Sequence, residues 1–208
     1  MKPPDQAVYT PDNEPYLGRA LVYHFDQVIL SCLERNQITA AFSHLSELSG
    51  LQRAACQIIP QGVNLALTIR ELVRQGYLFG ALVLMRPLIE RAAIISYLHA
   101  NPDAVTTWED GWKHRERPRL GVMLETMSGK ADAAIAAQIC DLFNHIVHGD
   151  PLSSHWNLIP LPDGGIGYSS AKMTDNPELC DFICFQTYCY LLVLAGMMAA
   201  CFPEISSL

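Results

Sequence analysis

Charge is scarce in this sequence. Of its 208 residues, 17% are Asp, Glu, Lys or Arg, against about a quarter in an ordinary soluble protein, while 50% are hydrophobic. A chain this apolar is excluded from the disordered and fibrous classes, and at this length it can bury one sizeable core without disulfides or a structural metal. Positive charge is scarcer still. Fourteen Lys and Arg against twenty-one Asp and Glu leave a net charge of -7, which excludes holding nucleic acid by a global field and leaves only local contact. No CxxC pair is present. The seven cysteines, Cys32, Cys56, Cys140, Cys180, Cys184, Cys189 and Cys201, are odd in number and lie inside apolar runs, where a free thiol behaves as a small hydrophobe; this points to a reducing, cytoplasmic setting. No apolar core follows Met1, and the prolines of MKPPDQAVYTPDNEPY would break one, so no export signal is visible. Residues 1–15 read as a flexible leader, ahead of a single helical domain over 16–208. Internal repeats and low-complexity segments are also lacking.

What is present is helical periodicity. Leu17, Leu21, Val22, Phe25, Val28, Ile29, Cys32 and Leu33 recur at three- and four-residue steps, the spacing of one helix face. A short second helix is predicted over Ile38 to Leu48, stopped by Ser49-Gly50, and a third from about Leu51 to Gln75, with Pro60 and Gly62 bending or splitting it. Tyr77 to Leu98 is apolar nearly all round and reads as a central buried helix, ended by Asn101-Pro102-Asp103. An exposed helical turn and loop follow over 104–120, and regular helix resumes near Ser128, running to Gly149-Asp150-Pro151. Pro-Asp-Gly-Gly between two short apolar stretches signals a β-hairpin within 157–170, and a last helix is predicted from about Asn176 to Phe202. The expected fold is therefore all-α, a helical bundle with one small β-hairpin insertion. Phe182 to Phe202 holds 21 residues without a formal charge, long enough for a bilayer. Gln186 and Thr187 lie inside the run, no Lys or Arg flanks it within nine residues on the N-terminal side, and none follows. Those flanks favour a buried or dimer-interface helix over a membrane span.

Two polar sets interrupt the apolar helices. Arg86 and Glu90 are one turn apart in the most hydrophobic helix, and buried charges need partners, either each other or a group from another helix. A structural salt bridge that fixes helix register is one reading of the pair. Pro87 removes a backbone donor beside Arg86 and predicts a kink or a freed carbonyl there. Asn144 and His148, also four apart, share a face at the end of an alanine-rich helix, a geometry suited to an amide that orients an imidazole, with His145 one step round. His145, His148 and His155 have no Cys or carboxylate at a diagnostic spacing, so no metal site or other cofactor is predicted. Convergence of Arg86, Glu90, Asn144 and His148 into one polar pocket would satisfy both sets at once.

An Asn-x-x-x-His-Gly helix end behind an earlier buried Arg-x-x-x-Glu helix resembles the HEPN superfamily (higher eukaryotes and prokaryotes nucleotide-binding). The resemblance covers roughly residues 60–150 and implies an all-helical homodimer and a metal-independent ribonuclease of toxin–antitoxin or phage-defence systems, with RNA as substrate and an antitoxin or defence protein as partner. The family's motif is an arginine, usually a polar residue, a short spacer and a histidine. Asn144 matches the polar residue and His148 the histidine, while Phe143 stands where the family has arginine. On this reading His148 takes the proton of a ribose 2′-hydroxyl, Asn144 orients ring or phosphate, and Arg86, held by Glu90, supplies the missing cation.

Lys113, Arg115, Arg117 and Arg119, with Trp108 and Trp112 beside them, form the one stretch suited to nucleic acid: cations for phosphates and an indole for an unpaired base. Glu116 dilutes that charge, and a solvated loop is the plainer reading. Beside the ribonuclease stand two alternatives, a catalytically inactive binding or scaffold module and a small membrane-anchored protein.

Overall fold

The computed structural model describes residues 14–45, 47–113, 116–148, 150–151, 153, 158–168 and 175–205. Its elements in order are α1 (Ala20–Leu45), α2 (Gly50–Arg74), α3 (Leu78–Ala100), α4 (Ala104–Glu109), α5 (Leu120–Val147), β1 (Leu158–Pro160), β2 (Ile166–Tyr168) and α6 (Pro177–Cys201). The fold is all-α with one small hairpin, as the periodicity predicts. Of the leader, residues 1–13 lie outside the described residues. Glu14, at its end, is held by the Arg70 guanidinium at 2.6 Å.

The first helix keeps its inward face: Val22, Phe25, Val28, Ile29 and Cys32 are buried, whereas Leu17 and Leu33 are exposed. It does not stop before Ile38. The polar stretch Glu34-Arg35-Asn36-Gln37, read as a gap, is helix with mostly outward side chains, and the inward stripe continues through Thr39. Ser49 opens the next helix instead of closing this one. Its hydroxyl accepts from the Gln52 N–H (3.2 Å) and Gln52 Oε1 accepts from the Ser49 N–H (3.0 Å), a reciprocal capping box. α2 runs unbroken through Pro60 and Gly62. Gly62 is a contact and not a hinge, because the Leu194 side chain of α6 fills the space its Cβ would need.

α3 is the centre. Leu78, Ala81, Leu82, Met85, Leu88, Ile89, Ala92, Ala93, Ile95 and Leu98 are buried, and α2, α5 and α6 pack around it. The helix continues through Pro87. α5 begins at Leu120, earlier than its alanine run suggests, and Gly129 interrupts it with φ +77. The hairpin pairs Leu158 with Tyr168 and Pro160 with Ile166, closed by the Leu161 N–H on the Gly165 carbonyl (2.9 Å), with Gly164 at φ +82 as the tight turn requires. α6 is long and apolar enough to cross a membrane by length and composition. One face is buried on α1, α2 and α3, while Phe185 and Leu192 look outward, each 47% exposed.

Two outcomes follow from this packing. Gly62→Val drives a branched side chain into Leu194 and is expected to cost about 1–3 kcal/mol in urea denaturation; an unchanged midpoint would place Gly62 outside the α2–α6 contact. None of the seven cysteines is exposed, and burial pushes the Cys32 and Cys201 thiols up to about 11. A thiol reagent at pH 8 should therefore label only half-buried Cys56 and Cys189, and slowly, before denaturant releases the rest.

Candidate functional site

The polar pair of the central helix is formed, and half-buried. Arg86 Nε donates to Glu90 Oε1 at 3.1 Å, and its Nη1 donates to the Cys140 carbonyl on α5 at 3.3 Å. The two side chains keep 20% and 23% of their surface exposed, so they sit at the rim of the α3–α5 contact and not inside it. Glu90 Oε2 faces a second cation, the Nη2 of Arg117, at 3.6 Å. One carboxylate thus joins a buried-helix arginine to a loop arginine 31 positions away from it in sequence number. The Cys140 thiol lies against the same cation; burial raises its pKa, with Arg86 working the other way.

Cys140, Asn144 and His148 are spaced by four and lie along one stripe of α5. At about 1.5 Å per residue, Asn144 is roughly 6 Å and His148 roughly 12 Å beyond the carbonyl that Arg86 holds. Asn144 is half-buried. His148 is exposed and caps the helix, its N–H donating to the Asn144 carbonyl at 2.9 Å. Arg86, Glu90 and Arg117 are in contact; Asn144 and His148 continue away from them along the helix. Phe143 is fully buried. The position where the resembled family carries arginine therefore faces the core, a quarter-turn from the Asn144 stripe.

His145, one step round from the Asn144–His148 face, has carboxylate neighbours. Its Nδ1 is 3.1 Å from Asp150 Oδ2 and its Nε2 is 3.8 Å from Asp141 Oδ2, so a carboxylate stands beside each ring nitrogen. Asp141 at four residues back was the visible half of that signal; Asp150 reaches the ring only because the chain turns after Val147, where the Asp150 N–H donates to the His145 carbonyl.

The basic stretch is part loop and part helix start. Lys113 and Arg119 are exposed, Arg115 lies outside the described residues, and Arg119 occupies the N-cap of α5. α4 ends in a Schellman turn: the Trp112 N–H donates to the Thr107 carbonyl (3.0 Å) and the Gly111 N–H to the Trp108 carbonyl (2.9 Å), with Gly111 at φ +88. Trp112 follows at φ +38, a conformation that costs a bulky residue about 1–3 kcal/mol. Together with Gln57, Trp108, Glu109, Gly111 and Arg117 it lines a cleft of ≈ 500 Å³. Gln57, from α2, carries no sequence signal that would have placed it there.

Because Phe143 is core, Phe143→Arg should not rebuild the family motif. It buries an unpaired cation, and a loss of several kcal/mol in thermal or urea unfolding is expected; full stability with gained nuclease activity would overturn the placement. Comparison of the chain with models of known families, with curated proteins and with solved structures finds no match to any of them.

Proposed function

We propose that the chain is a HEPN-like, metal-independent endoribonuclease acting on single-stranded RNA, with His148 as general base, Asn144 orienting it or the substrate, and Arg86 as phosphate-binding cation positioned by Glu90. The observation that carries this reading is the Arg86 bond to the Cys140 carbonyl, which sets a guanidinium on the same α5 stripe as Asn144 and His148. His148 is open to substrate at the end of that stripe. Its ring removes the 2′-hydroxyl proton as the oxygen attacks phosphorus, the P–O5′ bond breaks and the departing 5′-oxygen takes a proton from water, giving a 2′,3′-cyclic phosphate and a 5′-hydroxyl; Arg86 and Arg117 hold the adjoining sugar–phosphate chain. Exposed Lys113 and Arg119 extend the same contact, and Arg115, the other cation of that stretch, lies outside the described residues. The chain works as a homodimer through the outward face of α6, which presents Phe185 and Leu192 and has no charge from Phe182 to Phe202. The resemblance supports a cytoplasmic toxin–antitoxin or phage-defence setting, with an antitoxin or defence protein as partner.

A second reading has its own support. Arg86 already spends two donors on Glu90 and Cys140, which suits a polar network that fixes how α3 and α5 dock in a non-catalytic binding module.

Incubation with single-stranded RNA in EDTA separates the two. Cleavage by the wild type that falls at least 100-fold in His148→Ala, as expected for loss of a general base at about 10²–10⁴, supports the nuclease. Intact RNA, or cleavage unchanged in His148→Ala, leaves the binding module. For the dimer, light scattering without detergent should give twice the 23.1 kDa chain mass, and Leu192→Arg should return it to one chain; a wild-type monomer would remove the α6 interface.

A further inference from the structure

We infer that the cleft between α2, α4 and the loop after α4 is a subsite for one unpaired nucleobase, guanine by preference, whose phosphate lies toward Arg117. The inference rests on the RNA-directed reading above and adds to it where the base is held. Four observations converge. The volume, ≈ 500 Å³, is in the range of small-molecule sites and takes one nucleotide. Two half-buried indoles line it, and an aromatic face is the usual platform for an unpaired base. Trp112 holds a left-handed backbone to reach the cleft, a strain its neighbours maintain through the Schellman turn.

The remaining lining is built to read an edge. Gln57 is exposed, and its amide has no hydrogen-bond partner among the described residues, so both its donor and its acceptor are available. Glu109 is fixed by Arg53, whose Nε and Nη2 both fall on Oε1 at 3.0 and 2.9 Å, so that Oε2 is not engaged by that arginine and can accept from a ligand. A carboxylate oxygen only accepts and the Gln57 amide can donate, a pair that suits guanine, whose N–H groups stand beside a carbonyl, over adenine, which has no carbonyl. Arg117 closes the rim with its guanidinium 49% exposed, and its other contact is Glu90. A base in the cleft therefore directs its phosphate toward the Arg86–Glu90 pair and the α5 stripe.

The test is a titration of the full chain with GMP, AMP and ribose 5-phosphate, read by tryptophan fluorescence in a Trp156→Phe background so that only the two cleft indoles report. Saturable quenching by GMP is expected, weaker by about tenfold with AMP and absent with ribose 5-phosphate. Gln57→Ala, a change at an exposed side chain that leaves the fold intact, should weaken GMP about tenfold, and Trp112→Ala by tenfold or more. No saturable change up to millimolar nucleotide, or GMP affinity unchanged in both variants, overturns the subsite; AMP binding as tight as GMP overturns the guanine preference. His148→Ala should leave GMP binding as it was. Nucleotide binding with uncleaved RNA defeats the catalytic reading alone, and His148-dependent cleavage without nucleotide binding defeats the subsite alone.

Discussion

A helix that is apolar around its whole circumference has to be covered from every side, and α3 imposes that requirement on the rest of the molecule. Its residues from Leu78 to Leu98 supply most of the largest fully buried side chains, and α2, α5 and α6 each give up one face to them. Such burial is the dominant favourable term in folding, so the four helices stand or fall together. Arg86 and Glu90 interrupt this helix where the cover is α5. Their charges survive because each has a partner: Glu90 takes Arg86 and Arg117, and Arg86 takes the Cys140 carbonyl. The polar site is therefore a consequence of how the apolar helix is covered.

Charge elsewhere ties the periphery to this centre. Arg70 of α2 is 15% exposed and binds Asp26 of α1 through two hydrogen bonds and Glu14 through a third contact. Burial works against its charge, yet the bonds from Asp26 and Glu14 outweigh that and raise its pKa above the ordinary value. Arg19 joins the start of α1 to Asp181 of α6, and Arg53 joins α2 to Glu109 of α4. The last of these matters for the cleft, because it is what orients the Glu109 carboxylate.

Local patterns were legible where one residue type has one use. The Pro-Asp-Gly-Gly turn, the buried character of Tyr77 to Leu98 and the inward stripe from Val22 to Cys32 could be read directly. Boundaries were not. Ser49 looks the same as a stop or as an N-cap, and only the Gln52 side chain folding back on its N–H decides between them. Gly62 and Pro60 look like breakers, but a glycine where another helix arrives is worth more as a space than it costs in backbone freedom.

The same division holds for the candidate site. The sequence by itself determined the helical class, the position of the buried helix and the four-residue spacings of Arg86 with Glu90 and Asn144 with His148, because periodicity and i,i+4 geometry are properties of a single element. Tertiary structure alone decided that Arg117 meets Glu90, that Gln57 shares a cleft with Trp108 and Trp112, that Asp150 turns back onto His145, and that Phe143 points into the core. Each of those depends on which face of one helix is pressed against another, and that choice is made by the packing of the whole apolar set and not by any residue's neighbours in sequence.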